Sequence, residues 1–149
     1  MFATEGTVND KLGVVGVIQP QSITAGATGV LTAAIDMKDF ERVVFVVQSG
    51  TLGTSGTLDV TGEASDAAAG TYAPLAGKSA TQLVKATGDN KVVVVEVTQD
   101  DVAKVGKRFV KFRIAAGTAA ATSGGVVIGV PASYGKGRDF NIAAVAQTL

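Results

Sequence analysis

Histidine, cysteine and tryptophan are missing from all 149 residues, and each absence removes a class of chemistry. A Ser-His-Asp triad, a thiolate nucleophile, a structural zinc site and the usual haem or iron–sulfur ligation all need His or Cys. Carboxylates, lysines, tyrosines and hydroxyls remain, and nothing in the sequence provides the ligand set of a cofactor. Charge is scarce too. The 13 basic and 13 acidic side chains cancel and make up 17% of the chain, against roughly 25% in an average soluble domain. Nucleic-acid binding draws on a surplus of Lys and Arg on one face, so nucleic acid is not an expected partner. The longest strictly apolar runs, Val43 to Val47 and Val92 to Val95, are far short of the ~20 residues that span a bilayer. The first ten residues carry Glu5 and Asp10 but no Lys or Arg, unlike the basic start of a secretory signal. The expectation is a protein made in the cytoplasm with no membrane partner.

What is present is 46% hydrophobic, much of it Val and Ala, with 19 Gly and only six Phe and two Tyr. Val, Ile, Phe and Thr gather in short runs separated by Gly, Ser, Asp and Asn at roughly ten-residue spacing, the pattern of an all-β sandwich or barrel. About eight strands are expected: Gly13 to Gln19, Gly29 to Ile35, Glu41 to Ser49, Gly56 to Glu63, Ala80 to Ala86, Lys91 to Thr98, Arg108 to Ala116 and Gly124 to Ala132. No segment has a long 3.6-residue period, so no long helix is expected. The organisation read from this is an antiparallel β-sandwich or jelly roll over residues 13–132, an N-terminal arm over 1–12 and a C-terminal arm over 133–149. Gly62 to Lys78 and Gly117 to Gly125 read as loops.

Two strands declare their faces. Val110, Phe112 and Ile114 alternate with Phe109, Lys111 and Arg113, and Leu58 and Val60 alternate with Thr57, Asp59 and Thr61, so each has one buried and one open face. Lys111 and Arg113 share a face that is either solvated or paired with acids on a neighbouring strand or subunit. The Val43 to Val47 and Val92 to Val95 runs do not alternate. A two-layer sandwich covers one face of each sheet, so the second apolar face needs a loop, a tail or a neighbouring subunit over it. Val44, Val46, Val92 and Val94 are therefore the candidate subunit interface.

The remaining motifs carry little chemistry. Gly77-Lys78-Ser79 suggests a phosphate loop, but Tyr72 stands where the motif needs its first Gly, and a strand pattern follows where a helix is required. The carboxylates at Asp36, Asp39 and Glu41, at Asp59, Glu63 and Asp66, and at Asp100 and Asp101 match no calcium loop. Thr98-Gln99-Asp100-Asp101 reads as a capped helical turn, with Thr98 accepting from the Asp101 N–H and Gly106 closing it. Gly135-Lys136-Gly137-Arg138-Asp139 reads as a charged hinge.

The order of these pieces resembles the small decoration, or cement, proteins of tailed-bacteriophage capsids. The resemblance covers about Ile35 to Pro131. It rests on Ile35-Asp36-Met37 leading into Phe40-Glu41-Arg42-Val43-Val44-Phe45-Val46-Val47, on Leu58-Asp59-Val60-Thr61-Gly62-Glu63-Ala64-Ser65-Asp66 with its Gly- and Ala-rich continuation, on Asp89-Asn90-Lys91-Val92-Val93-Val94-Val95-Glu96-Val97, and on Lys107-Arg108-Phe109-Val110-Lys111-Phe112-Arg113-Ile114 before a final valine strand. It implies a non-enzymatic virion protein: a homotrimeric knob on the capsid exterior whose partners are its own copies and the major capsid protein. The arm residues that would touch the shell are Phe2, Leu12, Tyr134, Arg138, Phe140 and Ile142. A tail or connector component of the virion is an alternative. So is a carbohydrate-binding, adhesin-like sandwich, although Tyr72 and Tyr134 are its only tyrosines for stacking on a sugar and there is no Trp.

Overall fold

The structure, a computed structural model, describes residues 12–132 and Ala146. Among the described residues, ten strands and two short helices follow one another: β1 (Gly13–Ile23), β2 (Val30–Leu31), β3 (Ile35–Asp36), β4 (Phe40–Leu52), β5 (Thr57–Ser65), β6 (Ala73–Ser79), β7 (Leu83–Val84), α1 (Lys85–Gly88), β8 (Val92–Thr98), α2 (Gln99–Ala103), β9 (Phe109–Gly117) and β10 (Ala121–Pro131). They form two antiparallel sheets in a sandwich. Sheet A has the order β1-β10-β4-β8. Sheet B has β2-β9-β5-β6, with β3 also on β9 and β7 on β5.

The core lies between the inner faces. β4 contributes Val43, Phe45 and Val47, β8 contributes Val95 and Val97, and they meet Leu58 and Val60 of β5 and Val110, Phe112 and Ile114 of β9. Phe45 and Phe112 join the sheets, their ring centroids 4.9 Å apart. Two glycines of β10 make room for rings. A Cβ on Gly125 would sit 2.6 Å from Phe45, and one on Gly129 would sit 2.7 Å from Phe40. Gly129→Ala is therefore expected to overpack the core and cost about 1–3 kcal/mol, read as a lower denaturant midpoint at unchanged slope.

Four expectations need correction, the first being the loop from Gly117 to Gly125, of which residues 121–125 belong to β10. Gly29 to Ile35 is broken into β2 and β3, because Thr32 takes over the ladder: its N–H donates to Phe112 O at 2.9 Å and its Oγ1 accepts from the Phe112 N–H at 3.0 Å. Ala80 to Ala86 contains only the two residues of β7 before α1 begins. Most of the expected loop from Gly62 to Lys78 is strand, since β5 runs on to Ser65 and β6 pairs back onto it. Pro74 and Gly77 hid that strand; both are tolerated because β6 is a sheet edge.

The capped turn between β8 and β9 is present as read. Thr98 Oγ1 accepts from the Asp101 N–H at 3.3 Å, and Asp101 accepts from the Thr98 N–H at 2.9 Å. Lys78 of β6 reaches the same Asp101 carboxylate at 2.8 Å, tying sheet B to the turn that leaves sheet A. The Lys78 ammonium first, then the Thr98 N–H, hold the Asp101 carboxyl at about 2, below its ordinary value of 3.8. A depressed carboxylate stabilises the fold in full above its unfolded pKa and loses that contribution as pH falls through the folded one. The thermal midpoint is expected to drop between about pH 4 and pH 2, and Asp101→Asn to flatten that part of a pH series followed by circular dichroism.

Candidate interaction surface

The outward residues of sheet A line up across all four strands. One row is Val17, Val126, Val46 and Val94, and the next is Val14, Ile128, Val44 and Glu96. Gly124, Gln48 and Val92 form a third row on one side, and Val130, Arg42 and Thr98 a fourth on the other. The first three rows put eight β-branched apolar side chains on one face, and Val130 stands in the fourth. Val92 and Val94 are each 60% exposed and Val126 is 37% exposed, while Val14, Val17, Val44, Val46 and Ile128 are half-buried. At the Thr98 end, Arg42 Nη1 contacts Glu96 at 3.2 Å. At the other end, a groove of about 790 Å³ opens beside Gly50, lined also by Val17, Pro20, Val46 and Val92, while the Pro20 backbone packs over Gly124, where a Cβ would sit 2.8 Å from Pro20 N.

The four valines singled out from the sequence therefore lie together on this face. Val44 and Val46 belong to a central strand and Val92 and Val94 to an edge strand. Within the single chain, the face is not covered by a loop among the described residues, as the exposure of Val92, Val94 and Val126 shows. Sequence reading missed Val14, Val17, Val126 and Ile128, whose contribution depends on register. A bulge between Val14 and Gly16 turns both Val14 and Val17 outward. Leu12 is 39% exposed where β1 begins. Phe2, Tyr134, Arg138, Phe140 and Ile142 lie outside the described residues.

Sheet B presents a different outer face. Arg113 of β9 pairs with the buried Glu63 of β5 at 2.8 Å, so the neighbouring strand supplies the acid. Lys111 Nζ sits 4.4 Å from the centroid of the Tyr72 ring, and the Tyr72 hydroxyl donates to Ala68 O at 2.9 Å. Burial raises the Tyr72 pKa. Arg108 forms a fork with Asp36, whose carboxyl its guanidinium holds below the ordinary range. Gln82 bonds Asp59 at 3.0 Å. Arg113 and Arg108 thus have acid partners within the chain, while Lys111 rests on an aromatic ring and Asp59 on an amide. Among the described residues, no three carboxylates are grouped to hold a metal ion.

The two edges of sheet A also differ. β1 carries Pro20 and two register shifts against β10, features that blunt an edge. β8 runs in unbroken register with β4 from Val92 to Thr98 and has neither Pro nor bulge. β8 is thus the less protected edge, and it borders the apolar face.

Fold and surface together define an all-β sandwich with one charged, polar outer face and one apolar outer face. Neither a protein-family model nor a curated protein matches the sequence. Three solved structures show a limited likeness. The capsid protein VP2 of infectious bursal disease virus, in its subviral particle, is 15% identical over 80% of this chain with a TM-score of 0.46, and this chain spans 32% of that one. A subunit of the disulfide-linked pili of Bacillus endospore appendages is 15% identical over 90% of this chain and 100% of its own, TM-score 0.37. A xylan-binding domain of carbohydrate-binding family 22 is 13% identical over 87% and 92%, TM-score 0.38. At this level of likeness, none of them assigns a function to this chain.

Proposed function

We propose that this protein is a non-enzymatic structural component of a tailed-phage virion, which self-associates and coats the capsid exterior to stabilise it. The apolar outer face of sheet A carries the reading. A contiguous exposed apolar surface bordered by polar groups marks an interaction site, and here it lies on strands, which hold it rigid, not on loops. The sequence resemblance to capsid decoration proteins supports the finer assignment, with a trimer as the expected assembly and the major capsid protein as the second partner. A small module repeated over a shell needs only a modest energy per contact, because the contacts add over many equivalent sites. The sugar-binding alternative has less behind it, since the groove on this face contains no aromatic ring on which a sugar could stack.

Light scattering of the purified chain, followed by co-sedimentation with empty procapsids and with expanded shells, tests this. Trimers that pellet with expanded shells are the expected result. A monomer that stays in the supernatant with both kinds of shell would overturn the assignment.

A further inference from the structure

We propose that β8 pairs antiparallel with β8 of a second copy, about a twofold axis at Val94, so that two chains share one continuous sheet. This deepens the reading of the protein as a self-associating virion component, on which it rests for its role, by naming the strand that associates and its register.

The hydrogen-bond pattern determines which backbone groups are free. The Ser49 N–H donates to Lys91 O at 2.8 Å, so Ser49 and Lys91 form a bonded pair across β4 and β8. Bonded pairs alternate along an antiparallel ladder, and this register runs unbroken from Val92 to Thr98. Val93, Val95 and Val97 therefore turn their N–H and C=O groups to β4, and Val92, Val94, Glu96 and Thr98 turn theirs away from it. The Thr98 N–H is already engaged, donating to Asp101 at 2.9 Å. Val92, Val94 and Glu96 are exposed, and beyond them sheet A has no further strand among the described residues.

An edge of this kind accepts an added strand. Among the described elements of the chain, a second β8 fits it best. Of the other edges, β1 carries Pro20 and two register shifts, β6 carries Pro74 and one shift, and β2, β3 and β7 are two residues long. In the register centred on Val94, Val92 meets Glu96 of the second copy, Val94 meets Val94, and Glu96 meets Val92, each pair exchanging two hydrogen bonds. The next register one way needs Asn90, whose φ of 54° departs from a strand. The next one the other way needs the Thr98 N–H that Asp101 holds. The centred register uses every free group and no engaged one.

Charge selects the same direction. Lys91 precedes β8, whereas Glu96 lies near its end and Asp100 follows it. Lys91 and Asp100 are exposed, and neither joins an ion pair among the described residues. Antiparallel pairing sets the basic start of each strand beside the acidic end of the other, where parallel pairing would set like beside like. The contact is isologous and closes at two copies. Beside a trimer it links one trimer to the next, and it joins two apolar outer faces side by side.

Amide hydrogen exchange on the full, unsubstituted chain reads the pairing directly. The Val92, Val94 and Glu96 N–H groups are expected to exchange at least about tenfold more slowly in concentrated than in dilute protein, while the Val95 N–H, held by β4, keeps its rate. Introduced thiols then fix the register, in a chain with no cysteine of its own. Bonded partners have Cα atoms about 5.5 Å apart, within reach of a disulfide. Val94→Cys, at an exposed side chain, is expected to link to itself on oxidation. Val92→Cys should not, but should link to Glu96→Cys when the two proteins are mixed. Exchange that is independent of concentration at all three amides would overturn the proposal, and so would Val92→Cys linking to itself as readily as Val94→Cys does. Co-sedimentation of the unsubstituted protein with expanded shells is scored separately. Shell binding without the concentration-dependent protection removes this inference and leaves the virion reading standing, and protection without shell binding does the reverse.

Discussion

Phe45→Ala is expected to lower the unfolding free energy by about 3–5 kcal/mol, a large part of the roughly 5–15 kcal/mol available to a domain of this size. Phe45 is fully buried at the centre of β4 and packs on Phe112 of the opposite sheet. How much a truncation costs depends on how far the neighbours can close the hole. On the β10 side the edge of its ring lies over Gly125, which has no side chain to move in, and its register partner Val127 is itself fully buried. Phe112 belongs to the other sheet and cannot follow without shifting β9. The cost should therefore fall in the upper half of the range. Urea unfolding of the two proteins side by side measures it, and a loss below about 1.5 kcal/mol would mean that the sheets slide together more readily than this packing implies.

Val94→Asp should do the opposite: leave the fold intact and abolish association. The side chain is 60% exposed in the single chain, so an ionised carboxylate there stays hydrated and the unfolding midpoint should move by no more than about 0.5 kcal/mol. In an assembly that covers the face, the same charge would be buried without a partner. Truncating or mispairing such a group typically costs 2 kcal/mol or more, equivalent to at least about a thirtyfold weaker association. Val95→Asp is the control. Val95 is 6% exposed and points inward, so the same change one residue along should prevent folding. Sedimentation velocity on Val94→Asp should show a folded monomer over concentrations at which the parent is oligomeric. A Val94→Asp protein that assembles like the parent would remove this face from the interface. The sequence alone leaves open whether Val94→Asp disrupts assembly or folding; exposure of Val94 in the single chain separates the two.

Legibility from the sequence followed the strength of local patterning. β4, β8, β9 and β10 were legible because runs such as Val43 to Val47 and the alternation in Phe109 to Ile114 carry their own period. β6 was not, since Pro74 and Gly77 read as turn residues and only pairing with β5 makes the segment a strand. The break at Thr32 was equally hidden, because it depends on a hydroxyl reaching a backbone amide across the sheet. For the candidate surface, the valine runs showed that a second face needed covering and identified half of it. The other half comes from Val14, Val17, Val126 and Ile128, which the β1–β10 register places beside the first half. Register across strands distant in sequence is set by tertiary packing, which no local pattern records.

The two chain exits share one end of the molecule. Gly13 pairs with Gly129, and Pro131 pairs with Phe40. At the far end, Leu52 and Ala121 are partners, and the turns at residues 53–56 and 118–120 are joined by the Gly53 N–H to Ala120 O bond at 2.9 Å. Ser55 and Thr118 in these turns have positive φ, so neither turn continues a strand. The sandwich therefore has two unlike poles, with the start of β1 and the end of β10 at one and the turns at residues 53–56 and 118–120 at the other. A foreign peptide inserted between Thr54 and Ser55 would project from the pole opposite Gly13 and Pro131, which makes that turn the natural place to carry cargo on this scaffold.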